Sequence, residues 1–438
     1  WSKPPRRRVR MAPRFAKILV LLVFGCHEPR ARQPRVAAPK PDAAMTTVAD
    51  VTLAPVVEAP EADLREMQRA LDGFGYALYG RVRNVAANVA VEPRSLALAL
   101  GLCATGARGE TREEVRRALG ASLDDARWEA ALATLSRREV AVEAGDAELT
   151  TFHRVYASRD LATRDDYVSR SLRLWGAPLV RLDFGGPEGV RAQLNGQASA
   201  QTRGRVRELV PEGGVRAGVG AVVASASSFK ARWRADVVRD EGFHVGGGTA
   251  LVPVATARAA GRFLYARAPG VQALRLPLGE GERFTLDVFV PDAVAGLGEL
   301  EAGLTTDSVR AWTAALRPTE VDLALPRFRV APARSLALRA ALDEAGVGRL
   351  FDPTKVDLTG VARSAPGEAP FFVSELYHAA VVEVDAEAAR PDAAAPQTAG
   401  GARVSVRVDR PFVFVISDAR AGALRVIGRV NDPAGREG

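Results

Sequence analysis

The chain has 438 residues, with 60 Lys+Arg against 52 Asp+Glu and a net charge of +8. Residues 1–45 carry a net +9 and the remaining residues sum to −1, so the body lacks the surplus that nucleic-acid binding needs. Only Cys26 and Cys103 and four scattered histidines are present, which excludes a disulfide framework and a metal site; no cofactor is expected.

In chain order, the basic residues 3–17 precede an unbroken apolar run, Ile18–Phe24, that ends at Gly25-Cys26. That order is the pattern of an export signal over residues 1–25. At 1.5 Å per residue the run is too short to cross a ~30 Å hydrocarbon core as a helix. V-F-G-C resembles a bacterial lipobox, which makes Cys26 the expected lipidation site, although Phe24 stands where a small residue is preferred. A plain secretory signal is the alternative. Trp1 is not a usual start residue, and Met11 is the expected beginning. Residues 26–61 mix Pro, Ala and Val with short charged spacers and hold no period, so they read as an extended tether.

Residues 62–433 read as one α+β domain of helices packed on mostly antiparallel sheets, followed by a tail, 434–438. Leu64, Met67, Leu71, Phe74, Leu78 and Val82 recur at intervals of three and four, one face of a long helix. A second helix is expected over Ser95–Cys103. A third opens on the T-x-x-E pair Thr111 and Glu114 and ends at Gly120. The second half carries strands. TLDVFVP and VDLALPRF alternate, and VSVRV (404–408), FVFVI (412–416) and LRVIGRV (424–430) read as neighbouring antiparallel strands. Between them, Ser335–Ala345 reads as a helix closed by Gly346.

Catalytic motifs are absent. H-V-G-G-G-T (244–249) resembles an oxyanion loop but has no G-x-S-x-G elbow, so a turn is the expected role. Gly185-Gly186 lacks the spacing of a phosphate cradle, and neither a P-loop nor H-E-x-x-H occurs. Cys103 falls on an apolar helix face, as a small core residue. No enzyme activity is expected. One segment stands out: AEAARPDAAAPQTAGGA (386–402) has no large apolar side chain and joins two strong strands, so an exposed loop is expected there.

Seven strings, taken in order, give the body a resemblance. They are NVAVEPRSLALAL with GARGETREEVRRALG (88–120), LNGQASAQTRGRVRELVP with Asn195, Thr202 and Gly204, SSFKARW, VDLALPRF, VSELYHAAVVEVD, DRPFVFVISD and GRVNDP. Together they resemble a serpin from about Ala62 to Pro433. The resemblance implies an exposed reactive-centre loop that a target protease cleaves, serine type first and cysteine type second. The freed segment then inserts in the main sheet and traps the acyl-enzyme. It implies a loop hinge at Ala386, Ala388, Ala389, Arg390, Pro391, Ala393 and Ala395, with Ala389, Pro391, Ala393 and Ala395 facing inward and Arg390 and Asp392 outward. Pro391 opposes insertion, because it brings no N–H to a ladder. The resemblance also places a sheet-opening control region at Ser95, Ser225, His378 and Trp233, with Glu92 and Ser225 replacing the family's serine and asparagine.

Counting from Asp385 puts the scissile bond at Ala402–Arg403, and counting back from Pro411 puts it at Gly400–Gly401; Arg403–Val404 would suit a trypsin-like target. The expected partner is therefore a protease, with no nucleic acid, a membrane only through a lipid on Cys26, and a monomeric state. The expected location is exported, lipid-anchored in a bacterial envelope or extracellular. The alternatives are a non-inhibitory serpin, acting as a protease substrate or as a binding or structural envelope lipoprotein, and more remotely a hydrolase.

Overall fold

The computed structural model describes residues 58–435 except 121, 139–141, 145–146, 176–178, 217–219, 364–369 and 389–402. Its helices are α1 (Glu61–Val82), α2 (Pro93–Gly106), α3 (Gly109–Leu119), α4 (Asp125–Arg138), α5 (Asp165–Trp175), α6 (Pro187–Gln201), α7 (Leu297–Ala302), α8 (Thr306–Ala314) and α9 (Arg339–Glu344). The first strands are β1 (Val89–Val91), β2 (Val142–Ala144), β3 (Ala147–Ser158), β4 (Val180–Leu182), β5 (Ala221–Ala235), β6 (Val237–Phe243), β7 (Val252–Ala268) and β8 (Val271–Leu278). They are followed by β9 (Phe284–Pro291), β10 (Arg317–Pro326), β11 (Phe328–Val330), β12 (Leu336–Ala337), β13 (Val373–Ala388), β14 (Val404–Arg407), β15 (Phe412–Asp418) and β16 (Ala423–Val430).

Two sheets organise these strands. One runs β1-β16-β15-β9-β8-β7-β10-β14, with β6 beside β7. The other runs β11-β13-β5-β3-β2, with β12 beside β13 and β4 beside β3. Most pairs are antiparallel, as expected; β10/β14, β3/β4 and β5/β13 are parallel. Alternate residues of β5 and β13 point to opposite faces. One face of β5 and β13 buries Val222, Ala224, Tyr377 and Val381 under the α6 residues Val190, Leu194 and Ala198. Higher on the other face, Phe229, Ala231, Val382 and Val384 meet the second sheet.

The periodic face of α1 is buried as expected, from Leu64 to Val82. Every residue of α2 is buried, so this helix is the centre of the helical layer and needs no polar face. Gly120 closes α3 with φ +72°, a left-handed C-cap that glycine adopts without a Cβ clash. Cys103 is buried, and burial pushes its thiol up to about 12. The 244–249 segment is a glycine turn.

Three expectations are corrected. Thr111 and Glu114 do not cap α3, which begins earlier, at Gly109. Thr111 Oγ1 instead accepts the Asp357 N–H, and Glu114 accepts the Arg349 N–H, so tertiary contacts claim both side chains. VSVRV does not join the two following strands; β14 pairs in parallel with β10, with Val404 opposite Val321. Ser335–Ala345 begins as β12 against β13 and becomes helical only at Arg339, because Leu336 pairs with His378.

Helix α1 is tied to β16 by the Asp72 carboxylate, which accepts the Leu424 N–H at 3.0 Å. Burial raises the Asp72 carboxyl to about 6, outweighing that bond and the nearby Arg94, Arg425 and Arg310. A raised pKa means that the folded chain holds this proton more tightly than the unfolded one. The associated stability is complete below pH 4 and lost as pH rises through 6. Asp72→Asn keeps the acceptor and removes the buried charge, so it should stabilise the fold by about 2 kcal/mol at pH 7.5 and by much less at pH 4. Urea denaturation at both pH values measures this; equal effects at the two would contradict it.

Candidate functional site

Strand β5 and strand β13 lie side by side in parallel, from Val373 opposite Ala221 to Ala388 opposite Ala235. A chain leaving the end of β13 and folding back would run antiparallel to both. The seam between them is therefore the one place in this sheet where such a segment would exchange one parallel ladder for two antiparallel ones. Antiparallel pairing is somewhat stronger per residue. Arg403 lies exposed just ahead of β14, which belongs to the other sheet. Segment 389–402 thus spans from the seam's end to the second sheet.

Ala386 and Ala388 are corrected from loop to strand. They continue β13 opposite Trp233 and Ala235, and Ala386 packs against the core between the sheets. Both therefore lie within the described strand, which runs to Ala388. The remaining expected hinge residues, Ala389, Arg390, Pro391, Ala393 and Ala395, lie outside the described residues. So do the reactive-bond candidates Gly400, Gly401 and Ala402, and Cys26.

Across the middle of the seam the structure brings Ser95, Ser225 and His378 together. Ser225 and His378 are opposite each other in the ladder, and α2 begins directly against them. The Glu92 backbone N–H donates to His378 Nε2 at 3.1 Å, so that nitrogen carries no proton. His378 Nδ1–H therefore donates to Ser225 Oγ at 3.1 Å. Ser225 Oγ lies 2.8 Å from Ser95 Oγ, and Ser95 Oγ reaches the Glu92 carbonyl at 3.4 Å. The result is a closed circuit of hydrogen bonds joining β5, β13 and the start of α2.

Glu92 also caps α2, its Oε2 accepting the Ser95 N–H at 2.7 Å. The Glu92 carboxylate thus serves the helix N-terminus, where negative charge is favoured. Burial holds His378 neutral by lowering its pKa to about 3. Trp233 is not part of this circuit. It lies further along β5 opposite Ala386, buried, and its Nε1–H has no hydrogen-bond partner among the described residues.

The motif residues Asn195, Thr202 and Gly204 hold the chain after α6. Asn195 Oδ1 accepts the Leu209 and Val210 N–H groups at 2.9 and 2.8 Å. Thr202 Oγ1 accepts the Val206 N–H, and Gly204 takes φ +77°. They fix how α6 lies over the lower seam. Sequence reasoning missed Lys230 and Glu383, which face each other across the upper seam at 2.8 Å. The signal was present, since FKARWRA and VEVDAEA both alternate charge with small or apolar residues. Only the parallel register shows that the two charged faces meet.

A family model described as Serpin (serine protease inhibitor) matches residues 69–433, and the chain belongs to that family. Membership in a family of protein inhibitors places it outside the enzymes. Antithrombin-III of Mus musculus is 28% identical over 298 residues, 66% of this chain and 63% of that protein, so the aligned stretch spans less than two-thirds of the relative's length. An uncharacterized serpin-like protein of Thermococcus kodakarensis is 28% identical over 387 residues, covering 85% of this chain and 87% of its own. The leukocyte elastase inhibitor of Equus caballus is 27% identical over 368 residues, 79% of this chain and 93% of its own.

The hydrogen-bond circuit sets a pH dependence. A lowered folded pKa gives stability that is present above pH 6.5 and is lost as pH falls toward 3, because the unfolded chain takes up the proton first. His378→Ala leaves the Glu92 N–H without its acceptor and opens a cavity, at a cost of about 3–5 kcal/mol at pH 7.5. The loss should shrink by several kcal/mol near pH 4. Guanidinium titrations at the two pH values measure it, and a pH-independent loss would contradict a His378 buried in its neutral form.

Proposed function

We propose that this protein is a serpin-type inhibitor that traps a serine endopeptidase as an acyl-enzyme. The observation that carries the reading is the parallel β5/β13 seam, closed in the intact chain and ending where segment 389–402 departs. The protease serine attacks a loop carbonyl and forms an ester to the upstream segment, while the peptide nitrogen leaves as the amine of the downstream segment. The upstream segment inserts between β5 and β13 and carries the ester-linked protease along. Strand pairing and burial withheld from the closed sheet supply the work.

The scissile bond is assigned to Ala402–Arg403 or Gly400–Gly401, which favours a protease with a small specificity pocket. Arg403–Val404 would favour a trypsin-like one. The structure adds a reason to place cleavage upstream of Val404. That residue is the first of β14 and pairs with Val321, so a protease cutting at Arg403 would have to peel the strand. Cysteine endopeptidases are the second target class. The antithrombin and elastase-inhibitor relatives support an inhibitory reading.

The basic stretch, apolar run and Gly25-Cys26 support export in a bacterial cell, with a lipid on Cys26 and residues 26–61 as a tether for a monomeric inhibitor. Among the described residues no helix is long and apolar enough to cross a membrane. A second reading rests on Pro391, whose missing N–H slows insertion: the loop is cut and the protease is released, leaving a substrate or an envelope binding protein.

Incubation with a panel of serine and cysteine endopeptidases should give an SDS-resistant complex with at least one. Pro391→Ala should raise the fraction trapped per cleavage by about tenfold or less, the range of one lost ladder bond. Cleavage across the panel with no complex, in both forms, would overturn the inhibitory reading.

A further inference from the structure

The upper seam carries opposed charge. On the solvent face of β13, above Val381, the alternating residues are Glu383, Asp385 and Glu387. The register sets Lys230, Arg232 and Arg234 of β5 opposite them in the same order. Residues opposite in register project to the same face, so an acidic row meets a basic row. Lys230 and Glu383 are joined at 2.8 Å, with side chains 33% and 31% exposed. Asp385 also pairs with Arg327, beside β11. Lys230 faces Glu148 of β3 on its other side, and Glu148 is held by Arg205 at 2.8 Å. The basic row is thus backed by an acid that stays with it when the seam opens.

We propose that these opposed rows form an electrostatic zipper that sets how readily the seam opens, and so how a cleaved loop divides between insertion and release. This rests on the inhibitory reading. Below Val381 the seam is covered by α6 and its apolar contacts. Above it, on this face, the rows lie where a returning segment would first enter. An inserted strand moves β5 and β13 from about 4.8 Å apart to about 9.6 Å. The direct ion pair across the seam, Lys230–Glu383, and the attraction between the two rows are then lost, and each strand is left with like charges at alternate positions, which repel. The zipper therefore holds the sheet closed in the intact chain. Because its charges are partly exposed to solvent, salt weakens it.

Amide hydrogen exchange on the intact, uncleaved protein tests this without any protease. Glu383→Lys with Glu387→Lys should speed exchange across 229–235 and 382–388 by about tenfold at low salt, as should Lys230→Glu with Arg234→Glu. Combining all four changes should recover part of the wild-type protection, short of all of it because residue 230 then faces Glu148 as an acid. Asp385 is left in place to keep its bond to Arg327. In wild type, raising salt from about 0.02 M to about 1 M should speed the same segments by about twofold to fivefold. That arm decides the matter if the reversed variants do not fold. Unchanged exchange in the half-reversed proteins, a four-fold variant as fast as they are, or salt-independent wild-type exchange would overturn the zipper. The fraction of protease trapped is scored separately. A protein that never traps but follows the exchange pattern keeps the zipper and loses the inhibitory reading.

Discussion

The parallel pairing of β5 with β13 is the constraint on which the rest depends. Two parallel neighbours in a largely antiparallel sheet leave room, in polarity, for one strand of opposite direction between them. A segment that turned back from the end of β13 would have that direction. α6, the start of α2 and the charged rows all bear on this single ladder. Without it the hydrogen-bond circuit around His378 would have no two strands to join.

Different chemistries hold the seam along its length, and they grade from bottom to top. The lower part is covered by α6 and its apolar contacts, where opening would expose Tyr377, Ala379 and Val381. The middle is closed by the buried circuit of Glu92, Ser95, Ser225 and His378, in which the Glu92 N–H fixes the His378 tautomer. The top is faced by solvent-exposed charges on one side, while Trp233 keeps an unbonded indole N–H on the other. Exposed ion pairs are weak and buried polar groups are costly to separate, so opening would begin at the top. That is also the end from which segment 389–402 departs, so under the proposed mechanism opening and insertion would share one direction.

Much of the architecture was legible because hydrophobic period reports burial directly. The six-residue face of α1 and the alternation in β9 and β10 are examples, and Gly120 marks its helix end because only a residue without Cβ takes φ +72° freely. Reading stopped where partners are distant in sequence. Thr111 and Glu114 have the spacing of a cap, yet Asp357 and Arg349, more than two hundred positions away, claim them. VSVRV has the composition of a strand, but composition does not say that β10 in parallel, not β15, is its neighbour. At the site, Ser95, Ser225 and His378 were named through the family resemblance and do meet, while Trp233 lies further along β5, opposite Ala386. The charges of Lys230 and Glu383 were visible throughout, but they acquire meaning only once the register places them face to face.

The central claim is that the closed seam is a withheld state, less stable than the same sheet with an added strand. Calorimetric melting of the intact protein and of protein cut once within 389–402 tests it most directly. Insertion predicts a melting temperature raised by at least about 10 °C after cleavage, since the new strand adds two ladders and buries its inward side chains. An unchanged or lowered melting temperature would contradict the account, because it would mean that the seam does not accept a strand.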